Sequence, residues 1–292
     1  MKIGFSTNSL GDVDLKEALF VLCEQGYESL AITPDQHFLN PYHKTFVSEV
    51  RDWQEALVRT RMGCVVETGA RYLLDSKRKH YPTLLADRSG ERNRRIDFLC
   101  KAVDLAGELQ ADCVSLWSGA SHSHDDEDLL WQKLIDGIGE VLDYATQREV
   151  VLGFEPEPGM FVDTVSRAEE LLKRLNYPKY LGLTIDIGHL ECLGERPLEA
   201  TVRLVADRIV NVHIDDMRVC RHEHLPLGKG DINFHPVLSE LVASGYQGGL
   251  HVELPRQSHM WHKTAKESYE FISNTLNGVS QSVSSVPQSP SE

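Results

Sequence analysis

The sequence contains no CxxC pair and no apolar run near the ~20 residues that a membrane-spanning helix needs. Its six cysteines, at 23, 64, 100, 113, 192 and 220, are scattered over a chain far longer than a disulfide-stapled module. The opening stretch, MKIGFSTNSL, lacks the apolar core and small-residue cleavage site of a secretory signal. We therefore expect reduced thiols in a cytoplasmic protein.

Positive charge is also scarce, with 30 Lys and Arg against 44 Asp and Glu and a formal net charge of -14. Binding to nucleic acid as a main role is disfavoured, because such proteins usually carry a basic face. A local basic pocket for a small anion stays open. The 292 residues, 41% of them hydrophobic, can form a full core and slightly exceed the ~250 residues of a typical (β/α)₈ barrel.

Short apolar strands alternate with amphipathic helical segments along the chain. Strands are predicted at 2–7, 29–33, 64–68, 113–117, 150–155, 180–186, 209–214 and 249–254, and helices at 14–25, 46–60, 90–109, 128–147, 165–175, 197–207, 234–244 and 263–276. Eight such units favour a single (β/α)₈ TIM barrel over residues 1–276, with a doubly wound open sheet as the alternative. Residues 277–292 are rich in Ser, Pro and Gln and predict a disordered tail.

Polar side chains follow each of the last four predicted strands. The carboxyl ends of parallel barrel strands meet on one face, so side chains at these ends are expected to come together. A polar side chain at one strand end could belong to an ordinary solvated rim. Buried carboxylates gathered from several strand ends would repel one another unless a cation neutralises them. The residues concerned are Glu155 and Glu157, Asp186 and His189, Asn211 and His213, and His251 and Glu253.

These strand ends form an ordered series of short motifs, E-x-E, D-x-x-H, N-V-H-x-x-D, G-x-G-D-x-x-F and H-V-E, between residues 155 and 253. The series resembles the xylose isomerase-like TIM barrel superfamily, in its sugar (phosphate) isomerase/epimerase branch. The resemblance implies one divalent metal ion held by Glu155, Asp186, His213 and Glu253, with Glu155 and Glu253 as the catalytic acid–base pair. Three carboxylates and one imidazole suit Mn²⁺, Mg²⁺ or Co²⁺, although Zn²⁺ stays open.

Such a site predicts isomerisation or epimerisation of a sugar, keto sugar or cyclitol. One carboxylate removes a proton next to a carbonyl, the metal stabilises the enediolate, and the second carboxylate returns the proton. A metal-dependent dehydratase or lyase acting on a related polyol is an alternative, as is a non-catalytic barrel subunit. The expected partner is a small polyol or sugar, with no nucleic acid and no membrane, and a homo-oligomer stays open.

Five further residues are candidates for binding the substrate. His189 resembles the substrate-binding imidazole of the family, and Glu157 shares a strand face with Glu155. The others, His224, Arg218 and Arg256, follow the seventh or eighth strand and are candidates for a hydroxyl, carboxylate or phosphate. The basic loop at 70–85 should cover the pocket mouth, where it either meets an anionic substrate through Arg71 or Lys77 or is simply solvated.

A related endonuclease branch of the superfamily binds further metal ions through a D-x-H motif and two histidines at earlier strand ends. In place of the D-x-H motif this chain has His222-Glu223-His224. Near the third and fourth strand ends, where the two histidines would lie, it has glycines 69 and 119. A trinuclear site, and with it an endonuclease, is therefore disfavoured.

Overall fold

A computed structural model describes residues 1–121 and 125–284 of the chain. Eight parallel strands close into a barrel in the order β1-β10-β7-β6-β5-β4-β3-β2, since β1 pairs with both β2 and β10. The (β/α)₈ prediction is confirmed, and closure rules out the open sheet. The barrel strands are β1 Lys2–Ser6, β2 Ser29–Ile32, β3 Gly63–Glu67, β4 Val114–Leu116, β5 Leu152–Phe154, β6 Leu181–Asp186, β7 Ile209–Ile214 and β10 Gly249–Val252.

Helices surround the barrel and are amphipathic, with one face on the strands. They are α1 Leu15–Glu24, α2 Phe46–Thr60, α3 Ser89–Leu109, α4 Glu127–Thr146, α5 Val165–Arg174, α6 Ile187–Leu193, α7 Leu198–Val205, α8 Phe234–Ala243 and α9 Trp261–Ser284. Local sequence sets their ends: the Asp14 carboxylate accepts hydrogen bonds from the backbone N–H groups of Lys16 and Glu17 at the start of α1. Three short 3₁₀ turns lie at Thr7–Leu10, Ala206–Arg208 and Pro255–Met260.

Two elements on the carboxyl face of the barrel were not predicted from the sequence. Helix α6 begins directly after β6, so His189 lies in a helix rather than at a strand end. After β7 the chain forms an antiparallel hairpin, β8 Asp216–Arg218 and β9 Arg221–Leu225. Both elements lie at the rim where the predicted site residues gather.

The predicted start of the tail at 277 is wrong. Helix α9 continues without a break to Ser284, and Val279 on it is fully buried. The error has a physical cause: a helix that already packs on the core needs only an occasional apolar residue on its inner face, and Val279 provides one among Ser and Gln. Residues 285–292 lie outside the described residues. Within the described part of the chain, no helix is long and apolar enough to cross a membrane.

Candidate active site

Two glutamates stand one residue beyond their strands, and the barrel's own hydrogen bonding fixes them there. The Glu155 N–H donates to the carbonyl of Leu116 at 2.8 Å, and the Glu253 N–H donates to the carbonyl of Ile214 at 3.2 Å. The parallel ladder therefore extends past β5 and β10, and both side chains point into the mouth of the barrel, where they line one cavity. Glu155 is buried and Glu253 is partly buried.

Asp186 ends β6 and starts α6, and its two oxygens do different things. Oδ1 accepts a hydrogen bond from the backbone N–H of His189 at 3.0 Å and so caps the helix. Oδ2 is buried and has no hydrogen-bond partner among the described residues. A buried carboxylate oxygen without a donor is costly, so this oxygen points to a cation that the protein chain does not itself supply.

The imidazole of His213 is where the carboxylates meet. Its Nδ1 lies 3.1 Å from Glu155 Oε1, 3.2 Å from Glu253 Oε2 and 3.9 Å from Asp186 Oδ2. The strands that carry Glu155 and Glu253 are separated in the barrel by β6 and β7, so these two carboxylates reach the same space from different directions.

The other nitrogen of His213 is held by a carboxylate from the far side of the barrel. Nε2 lies 2.9 Å from Glu67 Oε1, at the end of β3. Both ring nitrogens therefore face carboxylates. With a cation on the side of Glu155, Asp186 and Glu253, Nδ1 would be its ligand and the ring proton on Nε2 would be donated to Glu67. A carboxylate on the outer nitrogen is the usual support of a metal-binding histidine.

A buried hydrogen-bond chain holds this support in place. The amide Nδ2 of Asn211 donates to Glu67 Oε1 at 3.1 Å, and its Oδ1 accepts from His251 Nδ1 at 2.9 Å. The Nε2 of His251 then accepts from the hydroxyl of Ser29 at 2.9 Å. Burial lowers the pKa of His251 to about 3, so its ring is neutral and each donor in the chain has one acceptor.

The four residues predicted to bind a metal fit a divalent cation. Potential ligand atoms of Glu155, Asp186 and His213 all lie within 4.8 Å of one another, and Glu253 approaches the same imidazole nitrogen. Burial raises the pKa of Glu155 to about 7. Burial alone would lower the pKa of His213, but the surrounding carboxylates of Glu67, Glu155 and Glu253 raise it well above its usual value. The raised pKa of His213 reflects the excess of negative charge around its ring.

A cavity of about 340 Å³ opens above this cluster, and it receives most of the side chains predicted to bind substrate. Glu157, His189, His224 and Arg256 all line it. His189 and His224 approach each other with ring centroids 5.8 Å apart. Arg218 does not line it: its guanidinium pairs with Glu223 at 2.9 Å and donates to the Lys229 carbonyl at 2.8 Å, both within the segment after β7.

Several residues of the cavity were not assigned a role from the sequence. Glu67 ends β3 and would have been found by applying the strand-end rule to the early strands as well as the late ones. His222 places its Nε2 3.2 Å from His189 Nε2, a contact that depends on the unpredicted hairpin. Asn8, just after β1, donates to Glu253 Oε1 at 3.2 Å. Trp117, just after β4, which the sequence offers either as a pocket wall or as barrel core, lines the cavity.

Residues 21–275 match the family model described as the xylose isomerase-like TIM barrel. The chain belongs to this family. The resemblance drawn from the strand-end motifs is therefore confirmed at the level of the family and its fold.

Relatives of this xylose isomerase-like barrel include proteins with and without an established activity. An uncharacterised protein of Methanocaldococcus jannaschii is 26% identical over 269 residues, which cover 87% of this chain and 83% of the relative. An L-ribulose-5-phosphate 3-epimerase of Shigella flexneri serotype 5b is 23% identical over 218 residues, or 74% of each chain.

Solved structures show the same fold at lower identity. A D-tagatose 3-epimerase-like protein superposes with a TM-score of 0.79 at 20% identity, covering 97% of this chain and all 100% of its own. An L-ribulose 3-epimerase gives a TM-score of 0.78 at 16% identity and covers 99% of both chains. At these identities the likeness shows the architecture of the barrel.

Proposed function

We propose that this protein is a divalent-metal-dependent enzyme that epimerises or isomerises a keto sugar, with Glu155 and Glu253 as its acid–base pair. One observation carries the proposal: the two carboxylates approach a single imidazole nitrogen, His213 Nδ1, at 3.1 and 3.2 Å from strands three places apart. This arrangement leaves a carboxylate on each side of a substrate bound over the cluster.

Glu155, Asp186, His213 and Glu253 would hold the metal ion. The set is rich in hard oxygen ligands, which suits Mn²⁺, Mg²⁺ or Co²⁺. When bound, the ion would polarise the carbonyl and the neighbouring hydroxyl of the sugar. This would make the hydrogen on the hydroxyl-bearing carbon more acidic. Asp186 Oδ2, buried and without a donor among the described residues, supports its place in this set.

The remaining chemistry belongs to the protein's own side chains. One glutamate takes the proton from the carbon next to the carbonyl, and the C–H electron pair moves into the substrate as an enediolate. The other glutamate returns a proton. Return to the same carbon from the opposite face inverts it, and return to the neighbouring carbon exchanges aldose and ketose. A carboxyl group with a pKa near 7, as burial gives Glu155, can both accept and donate a proton near neutral pH.

Glu157, His189 and His224 would hold the sugar's hydroxyl groups. All three line the cavity, and His189 and Glu157 each offer an atom near Glu155. Burial lowers the pKa of His189 to about 4, so its neutral ring can donate one hydrogen bond and accept another. Because relatives and solved structures of this fold are named 3-epimerases, we propose inversion at carbon 3 of a ketose as the first reaction to test.

The experiment uses purified protein, metal analysis and a panel of ketoses in D₂O. We expect about one divalent ion per chain, loss of activity with EDTA, and recovery with Mn²⁺, Mg²⁺ or Co²⁺. Deuterium should enter the substrate only at the carbon that is inverted. A metal-free protein that still exchanges deuterium, or three zinc ions per chain, would contradict the proposal.

A further inference from the structure

The outer part of the cavity is lined by cationic side chains, although the molecule carries a net charge of -14. Arg71 and Lys79 reach it from the loop after β3, and Arg256 reaches it from the turn after β10. The inner part is acidic, with Glu67, Glu155, Glu157 and Glu253. The cavity thus has two ends of opposite charge.

Within the described residues, none of these three cations forms an ion pair. Arg78, on the same loop as Arg71 and Lys79, pairs with Asp75 at 2.8 Å and also with Glu91 at 3.5 Å. Arg256 instead donates only to a neutral group, the backbone carbonyl of His222, at 3.3 Å. Arg71, Lys79 and Arg256 are therefore available to bind a ligand in the cavity.

The two loops that bring these charges approach each other above β1. A guanidinium nitrogen of Arg71 and the hydroxyl of Ser258 lie 3.7 and 3.9 Å from the position that a Cβ on Gly11 would take. Ser258 is in the same 3₁₀ turn as Arg256. Arg71 therefore reaches from the loop after β3 toward the turn that carries Arg256.

A fourth positive charge lies behind the side chains that line the cavity. The guanidinium of Arg95 is fully buried, donates to the carbonyl of Thr68 at 3.0 Å, and lies 4.4 Å from the ring centroid of Trp117. No carboxylate pairs with it within the described part of the chain, and its Nε has no hydrogen-bond partner there. Trp117 lines the cavity, so the charge is separated from the cavity by one ring, in surroundings that screen it weakly.

The same positive charges also affect the pKa of His80. Its ring packs against Trp117 with centroids 5.5 Å apart. Its pKa is lowered to about 4, first by burial and then by the nearby charges of Lys79, Arg95 and Arg71. The Nδ1 of this neutral ring lies 3.2 Å from the carbonyl of Ala70, so its single N–H is already hydrogen-bonded.

We propose that the substrate carries an anionic group, a phosphate or a carboxylate, at the end remote from the reacting carbons, and that Arg71, Lys79 and Arg256 bind it. The proposal rests on the proposed function and narrows it to anionic keto sugars. Arginine side chains without an ion-pair partner are well suited to the paired oxygens of such groups. The names of the related proteins include both phosphorylated and free sugars, so they do not decide between them.

The test compares kcat/KM for a free ketose, its terminal phosphate ester, and the same ketose with a terminal carboxylate. We expect the wild-type protein to prefer an anionic form by ~10²-fold or more, as several charge-assisted contacts allow. The better of the two anionic substrates identifies the group. Arg71→Gln and Arg256→Gln should each lower the ratio of anionic to free substrate by ~10-fold, and Arg78→Gln, on the same loop but ion-paired, should leave that ratio unchanged.

Equal kcat/KM values for a free ketose and its anionic forms would overturn this inference and leave the proposed function intact. Absence of turnover with every substrate would instead count against the proposed function. Calorimetric titration with inorganic phosphate then tests the anion site directly. Binding by the metal-loaded wild type that weakens ~10-fold or more in the Arg71→Gln/Arg256→Gln double variant supports the site, and equal or absent binding overturns it.

Discussion

At the scale of single residues, the site depends on side chains that hold two partners at once. Asp186 caps α6 through Oδ1 and leaves Oδ2 for a cation. His213 contacts Glu67 through Nε2 and faces the other carboxylates through Nδ1. Each side chain is thereby fixed in orientation before any ligand binds, and the cost of ordering the site is met during folding.

Glu67→Gln tests the orientation of His213. The amide keeps the size of the side chain but removes the negative charge that faces Nε2. We expect metal affinity to fall by ~10- to 100-fold, as is typical when the outer partner of a metal-binding histidine is lost. Metal titration of the purified variant measures this. Glu24→Gln, at an exposed position on α1, is the control, and equal affinity in both variants would show that Glu67 plays no part in binding.

At the scale of elements, the eight strands of the barrel and the helices between them could be predicted from sequence, and the two elements added on its carboxyl face could not. The β7 bounds, 209–214, and the α2 bounds, 46–60, agree to the residue, because the apolar patterning of both segments is clear. Helix α6 has only seven residues and follows a buried strand without a break. The β8–β9 hairpin carries charged residues and turns at Val219-Cys220, with φ 60° at Cys220, instead of at a typical Asn-Gly pair.

The contact between Glu67 and His213 shows why part of the site was missed. The two residues are 146 positions apart in the chain, and β3 and β7 lie on opposite sides of the closed barrel. Local patterning places each residue at a strand end, but which ends meet across the barrel depends on closure and stagger. The predicted metal ligands, in contrast, lie on four strands of one continuous half, β5, β6, β7 and β10.

Gly188→Ala tests the junction between β6 and α6. A Cβ at this position would lie 1.8 Å from Asp215 Oδ1 and 2.9 Å from the methyl of Met217, so Asp215 or the helix must move. We expect the free energy of unfolding to fall by ~1–3 kcal/mol, the usual cost of overpacking. Gly139→Ala, inside α4 with nothing within 4 Å of its Cβ position, should be stabilising by ~0.5–1 kcal/mol. Chemical denaturation of both variants measures the difference, and equal effects would contradict the close approach of Asp215.

The end of α9 gives a second test at this scale. Truncation after Leu276 removes the buried Val279, so we expect a loss of ~1.5–3 kcal/mol in the free energy of unfolding. Truncation after Ser284 keeps the helix whole and serves as the control. If the shorter protein is as stable as the longer one, residues 277–284 do not pack on the barrel.

At the scale of the whole molecule, barrel closure and charge distribution work together. Closure gathers carboxylates from four strands at one end of the cavity, where they need a cation. The loops after β3 and β10 bring positive charge to the other end, against the net charge of the protein. A substrate with a polarisable carbonyl and a remote anionic group would match both ends, so the field of the protein would orient it before chemistry begins.

The central claim is that Glu155 and Glu253 move a proton on opposite sides of one bound sugar. The most direct measurement is deuterium wash-in from D₂O at the reacting carbon, monitored by NMR. It is made with the Glu155→Gln and Glu253→Gln variants, and the metal bound to each variant is quantified. Turnover should fall by ~10²-fold or more in both. One variant should lose wash-in and product together, and the other should keep wash-in into the substrate while losing product. A double Gln variant that holds its metal and still interconverts the sugar would contradict the account and point to Glu157.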